Sequence, residues 1–235
     1  MTSTSRALVR QWQIIIALIG APTFGLAQDA VENPLDEIIV TATRLQTTVR
    51  EAARSVSVVD QQHIQNGMQQ LALDESLAGI PGLYMQNRYN MAQDLRISLR
   101  GFGARSAFGI RGIKIIVDGI PQTLPDGQAG VDSIDLGSAK SIQVLRGPSS
   151  SLYGNASGGV IVIESESGRK PSFIEANLAA GGLGYQKYQL KTGGKADKFD
   201  YLVNIASQKL DGYREHSASK GTLFNGRFGI QLSDD

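Results

Sequence analysis

Cysteine is absent from the 235 residues, which excludes a disulfide framework, a thiol nucleophile and thiolate metal sites, and is compatible with an oxidising compartment. Histidine occurs twice, as His63 and His216, in no metal-ligand spacing, so neither a histidine metal centre nor an acid-base triad has material. Neither sign of charge dominates: 23 Lys and Arg stand against 22 Asp and Glu. The cations are dispersed among carboxylates, which argues against a nucleic-acid partner, because affinity for phosphate needs clusters of them. No serine sits in a G-x-S-x-G elbow, and Ser149-Ser150-Ser151 is best read as turn and cap chemistry. The absences therefore predict no enzyme, no cofactor and no metal. Glycine is abundant instead: 27 residues, about 11% against an average near 7%, favour turns between strands over a helical bundle.

The first 27 residues have the layout of a secretory signal peptide. Arg6 and Arg10 supply a positive start, Trp12 to Ala21 an apolar core, and Gly25-Leu26-Ala27 a small-x-small site, so cleavage is expected after Ala27. An apolar run of about ten residues is too short to span the roughly 30 Å hydrocarbon core as a helix. Removal takes two Arg and no acid, turning the net charge from +1 to −1. With no other candidate helix, a periplasmic protein or an outer-membrane β protein is expected.

The organising stretch runs from Ser141 to Glu166. Ile142, Val144 and, later, Val160 to Ile163 are β-branched and suit a pleated sheet, with breaks at Arg146-Gly147-Pro148 and Gly154 to Gly159 between them. Proline stops the first strand for want of an N–H, whereas Gly154, Gly158 and Gly159 permit positive φ and close backbone approach. This run of Val144-Leu145-Arg146-Gly147-Pro148, Leu152-Tyr153-Gly154 and Gly158-Gly159-Val160-Ile161 resembles the plug domain of TonB-dependent outer-membrane receptors. That family often continues with Thr and Lys where this chain has Glu164-Ser165-Glu166, so the local contacts there are expected to differ.

Residues 28–34 are polar and acidic, a mobile end by composition. Asp36, Glu37, Ile38, Ile39, Val40, Thr41 and Ala42 follow as a short β-branched run framed by charge. On the residues alone this is either the first strand of the globular domain or an exposed strand without a hairpin partner nearby, able to pair with another protein's sheet edge. The resemblance implies the latter: a TonB box, gripped from the periplasm by a TonB-type energy-transducing protein.

From Ala52 to Val59 the pattern is β-like, and Asp60 suits the N-cap of a helix through Met68. Asp74 can cap a second short helix carrying Leu77, closed by Gly79 and Pro81. Leu83 to Gln86 resumes as strand, and Leu95 to Arg100 alternates as a strand with one wet face. Arg96, Arg100, Arg105 and Arg111 fall close together around Gly101-Phe102-Gly103, but the spacing fits neither nucleotide-binding glycine pattern. Pairing with carboxylates is the first reading of these arginines and contact with an anionic ligand the second. Ile113 to Val117 is a buried strand closed by the Asp118-Gly119 hairpin signal. Asp118, Asp126, Asp132 and Asp135 lack calcium-loop spacing.

After Ser172 come four segments of period-2 character, separated by Gly181-Gly182, by Gly193-Gly194 through Asp197, and by Asp211 to Lys220. Such series mark a transmembrane barrel, lipid outside and water or plug inside.

The expected fold is therefore an α+β plug, a small mixed sheet with short helices, followed by the first antiparallel strands of a barrel that four strands cannot close. The family's barrel has about 22. The expected organisation is a signal peptide at 1–27, a periplasmic extension at 28–50, the plug at 51–168 and barrel strands at 169–235, the front part of a receptor. The resemblance implies energised uptake at the outer membrane of a scarce nutrient, a ferric siderophore or other iron chelate. Arg88, Tyr89, Arg105, Gln122, Asp126 and Gln128 are the candidate ligand contacts. Arg100, Gly101, Asp118, Gly119, Arg146, Gly147, Pro148, Tyr153, Gly154, Gly158 and Gly159 are the structural signature of the plug. A periplasmic binding module, or a truncated remnant without function, is the alternative, and a hydrolase is a distant third.

Overall fold

The computed structural model describes residues 55–86, 91, 93–106 and 109–232, and the backbone pairing of 39–40 with 47–48. The signal peptide with Ala27, box residues Asp36 to Ile38, Thr41 and Ala42, and candidates Arg88 and Tyr89 lie outside the described residues. Among box residues, β1 (Ile39–Val40) pairs antiparallel with β2 (Thr47–Thr48). This corrects the expectation of a strand without a hairpin partner nearby, because Thr47–Thr48, in the segment that follows the box, supplies one.

β3 (Ser55–Asp60) leads into α1 (Gln61–Gln65), capped as expected by the Asp60 carboxylate, which accepts the His63 N–H at 2.8 Å. The helix stops three residues short of Met68, because Asn66 takes an extended backbone and Gly67 a positive φ. In α2 (Leu73–Leu77), Asp74 lies inside the first turn and is not the cap. The Glu75 carboxylate does that work, accepting the N–H groups of Gln70 at 3.0 Å and Leu71 at 2.9 Å.

A hairpin of β4 (Leu83–Gln86) and β5 (Arg96–Leu99) follows. Its expected wet face is only partly wet: Ser98 is buried like its neighbours Ile97 and Leu99, Arg96 is half-buried, and Arg100, just past the strand, is exposed. β6 (Ile113–Val117) and β7 (Ile120–Pro121) close through Asp118 and Gly119, both at positive φ as that hairpin turn requires. A 3-10 turn at Leu136–Ser138 opens β8 (Ala139–Arg146). After the one-turn helix α3 (Ser150–Tyr153), β9 (Gly159–Ser165) returns antiparallel to β8 and parallel to β6.

The first sheet has the order β3-β8-β9-β6-β7. Its β-branched central strands are buried on both faces. Ile113, Ile115, Ile142, Val144, Ile161 and Ile163 meet α1, α2 and the β4–β5 hairpin on one side, while Val56, Leu145, Val160 and Val162 form a smaller cluster on the other. Each such side chain contributes roughly 1.5–3 kcal/mol. The β8–β9 turn needs its glycines. A Cβ on Gly158 would stand 2.5 Å from that of Phe102, and one on Gly159, at φ +149, would strike the Leu145 carbonyl oxygen.

The second sheet is a meander of β10 (Phe173–Ala180), β11 (Gln186–Ala196), β12 (Phe199–Leu210) and β13 (Ser219–Ile230). Gly193 and Gly194, expected to separate two strands, lie within β11, and the turn is at Asp197 and Lys198. They are glycines because side chains crowd them: a Cβ would come 2.8 Å from the rings of Phe173 and Tyr201, respectively.

Candidate functional site

The meander is inside out. Ile174 (77% exposed), Leu178 (76%) and Phe224 (70%) face outward with Leu190, Ile205, Phe228 and Ile230, whereas Lys187 (4%), Lys191 (3%) and Asn204 (0%) are buried against the first sheet domain. Register makes this a property of whole faces: Leu178 opposes Tyr188, Leu190 opposes Ile205, and Ile205 opposes Phe224, all on one side. Phe199 stacks with Tyr201 and Phe228 at centroid separations of 6.1 and 6.4 Å, an aromatic band beside the short 197–198 turn. No helix among the described residues is long and apolar enough to cross a membrane, which bears on helices alone.

The inward face is a polar seam. Lys191 Nζ lies 2.6 Å from Glu166 Oε1 and 3.2 Å from Glu175 Oε2, and donates at 3.2 Å to Gln65 Oε1. Gln65 Nε2 donates in turn to Glu166 and to the Ala139 carbonyl, both at 2.9 Å. Further along, Gln189 donates to the Gly137 carbonyl at 3.0 Å and Asn204 to Asp135 Oδ2 at 2.6 Å. Asn225 donates to Ser138 Oγ at 2.7 Å, and Arg227 to the Ser165 carbonyl at 2.8 Å. Asp118 completes the chain by accepting both the N–H and Oγ–H of Ser165, at 2.8 and 2.7 Å. Lys187 donates to Gln70 Oε1, and the Tyr185 hydroxyl to the Gln69 carbonyl. Burial, with the Glu75 carboxylate adding to it, pushes the Tyr185 phenol up to about 12. Every buried polar group named here therefore has a partner, as a polar interface requires.

Of these inward residues, Asn204, Asn225 and Arg227 lie on the polar face that the period-2 alternation of the last two segments marks, whereas Lys187, Gln189 and Lys191 were not singled out. A signal was available, since Lys187, Gln189 and Lys191 alternate with Tyr188 and Leu190 as polar-in, apolar-out strands do. Glu164-Ser165-Glu166, where the chain departs from the resembling family, is where Ser165 and Glu166 take their places in the seam.

The structure gathers several candidate contacts at one end of the first sheet. Asp118-Gly119 lies at the end reached by Arg227, whereas residues 103–106, 109–112, 122–130 and 147–158 lie at the other, joined by the Ile110–Ala129 bridge. There Arg111 reaches the Asp126 carboxylate at 3.9 Å, Asp126 Oδ1 accepts the Gln128 N–H at 3.0 Å, and Asn155 donates to the Gly127 carbonyl at 3.2 Å. Gln122 adjoins this loop and donates to the Ile120 carbonyl at 3.4 Å, while Arg105 is exposed in the turn after Gly103. Of the signature residues, Arg146 donates to the Pro81 carbonyl at 3.1 Å, and Arg100 and Gly101 form the tight turn after β5, both at positive φ. Among the described residues no cluster of His, Cys, Asp and Glu could hold a metal ion.

A family model described as the TonB-dependent receptor plug domain matches residues 48–160. The vitamin B12 transporter BtuB of Vibrio vulnificus (strain YJ016) is 28% identical over 191 residues, 80% of this chain and 30% of its own. The rhizobactin receptor of Rhizobium meliloti (strain 1021) is 26% identical over 255 residues, 94% of this chain and 33% of its own. The chain thus spans about a third of the length of these relatives. The pyoverdine outer membrane receptor FpvA of Pseudomonas aeruginosa PAO1, solved bound to pyoverdine, is alike in fold with a TM-score of 0.68 at 23% identity, over 82% of this chain and 27% of that one.

Proposed function

Because the chain belongs to the TonB-dependent outer-membrane receptors, we propose that it carries the plug and first barrel strands of a receptor for energised nutrient uptake. The observation that carries this reading is the inside-out meander. An apolar outer face over a polar inner one suits lipid on one side and a plug on the other. β10 and β13 each lack a second neighbour among the described residues, so a barrel enclosing the plug needs further strands pairing at both edges.

Signal peptide, periplasmic extension, plug and barrel strands follow in that order in this reading. Barrel turns are short on the periplasmic side, so the 197–198 turn and the Asp118-Gly119 end of the plug face the periplasm. The loops bearing Arg105, Gln122, Asp126 and Gln128 then face outward and meet the ligand, and Arg88 and Tyr89 are proposed as further contacts. Their mixture of guanidinium and amide donors suits an oxygen-rich anionic chelate, and a ferric siderophore or similar iron complex is the proposed cargo. A TonB-type protein pairs with residues 36–42 and pulls. No catalytic step is assigned to the chain.

The test is uptake of labelled ferric chelate by cells carrying the complete receptor. Ile38→Pro removes a strand N–H and is expected to abolish uptake while surface binding persists; undiminished uptake refutes the box. Arg105→Glu is expected to weaken binding of an anionic chelate at low salt, and unaltered affinity returns that residue to a structural role.

A further inference from the structure

The outward face of the meander keeps its exposure however the barrel is completed, since further strands pair edgewise at β10 and β13. Register arranges that face in rows across β11, β12 and β13. Ala196, Phe199 and Ile230 form the row at the 197–198 turn, and Leu190, Ile205 and Phe224 an apolar row above it. Toward the opposite end the chemistry changes in order. Tyr188, Ser207 and Thr222 make a row of hydroxyls, and Gln186, Lys209 and Lys220 the row beyond. Lys209 and Lys220 are therefore directly opposed on adjacent strands, which costs stability unless an anion lies between them. Asp211 offsets one of them, its Oδ1 2.9 Å from Lys209 Nζ with both side chains about half exposed. Lys220 is exposed and pairs with no carboxylate among the described residues. The other end of the face is unlike this one, because Lys195, in register with Asp200, belongs to the inward set of β11. At about 3.3 Å per residue and a tilt near 40°, β12 rises roughly 25 Å from Phe199 to Lys209, the height of the apolar band of a membrane barrel. The lysine row thus falls where hydrocarbon gives way to headgroups.

We propose that this row binds the anionic phosphate headgroup of a lipid in the outer leaflet, an inference that rests on the barrel reading above. Lys209 and Lys220 hold the phosphate, and Gln186 donates beside them. The hydroxyls of Tyr188, Ser207 and Thr222, one layer deeper, donate to the ester carbonyls. The acyl chains lie over Leu190, Ile205 and Phe224. Anion, carbonyl and hydrocarbon are met in the order in which such a lipid presents them. Asp211 competes with the phosphate for Lys209.

The test is titration of the complete receptor, purified in neutral detergent, with phosphatidic acid and with phosphatidylcholine, bound lipid being read by native mass spectrometry. Phosphatidic acid is expected to be retained in preference to phosphatidylcholine. Lys220→Gln is expected to weaken it about fivefold, and Lys209→Gln with Lys220→Gln about 25-fold. Asp211→Asn, which frees Lys209, is expected to strengthen it, and Lys198→Gln, at the opposite rim, to leave it unchanged. Equal retention of the two lipids, full affinity in the double variant, no gain in Asp211→Asn, a loss in Lys198→Gln, or displacement by an equal concentration of inorganic phosphate overturns the site. Membrane partition separates the two failures. A complete receptor recovered from the soluble fraction of lysed cells brings down the barrel reading and the site together, whereas one recovered from membranes that fails these comparisons loses the site alone.

Discussion

Replacing Lys191 with Met removes one partner of the buried pair and leaves the Glu166 carboxylate against the wall with the Gln65 amide as its remaining donor there. Both charges are nearly inaccessible, with side chains 3% and 9% exposed, so solvent screens little of the loss. Removing one partner of such a pair costs about 3–5 kcal/mol. Gln65, still donating at 2.9 Å, holds the value near the lower bound, and Glu175 keeps Arg169 at 2.9 Å. About 3 kcal/mol corresponds to a fall in melting temperature of roughly 6–12 °C for a chain of this size. Glu166→Gln is milder, about 1–2 kcal/mol, because Lys191 retains Glu175 and an amide oxygen still accepts from it. Adding Glu166→Leu to Lys191→Met removes the orphaned charge and is expected to restore part of the loss. Circular dichroism melts of the detergent-solubilised chain read all three. A Lys191→Met variant melting within a degree or two of the parent, or a double variant less stable than the single one, would refute the buried pair as a structural tie.

Glu75→Ala frees the N–H groups of Gln70 and Leu71 and is expected to cost about 1 kcal/mol, with hydrogen exchange faster at 70–72 than elsewhere. Gly159→Ala sets a methyl group against the Leu145 carbonyl at a φ that suits glycine; a destabilisation of about 2–4 kcal/mol is expected in the same melts. The Tyr185 phenol titrates near 12 when folded, above its ordinary 10. Its contribution is therefore full below pH 10 and is lost as pH rises through 12. Melting temperatures between those pH values should fall more steeply for the parent than for Tyr185→Phe.

Local chemistry was legible in the sequence. Asp60 caps its helix, Asp118-Gly119 closes its hairpin, and the run from Ser141 to Glu166 forms its two strands, because each depends on neighbours a few residues away. The seam was not legible, since Gln65 and Lys191 are 126 residues apart and neither carries a local mark of the other. Period-2 alternation put Phe199, Tyr201, Val203 and Ile205 on one face and marked the polar face as the inner one, but which first-domain residues that face meets is set by tertiary packing alone. Gly193 and Gly194 misled for a related reason: they read as breaks, yet are small to admit the rings of Phe173 and Tyr201. Asp74 was preferred as a cap over Glu75 because a side chain reaching backward to several N–H groups cannot be told from one reaching forward by spacing alone.

At Gly168 the plug backbone lies directly on the wall. A Cβ there would stand 2.7 Å from the Tyr201 carbonyl oxygen and would also strike that of Gly194, while one on Gly137 would stand 2.5 Å from Gln189 Nε2. The missing side chains work as a gasket, main chain pressed on main chain at Gly168 and on the Gln189 amide at Gly137. In the complete receptor proposed above, a larger residue at Gly168 would act as a wedge, and its first symptom would be leakage: small polar antibiotics and detergents entering cells in which uptake of the proposed cargo is still normal.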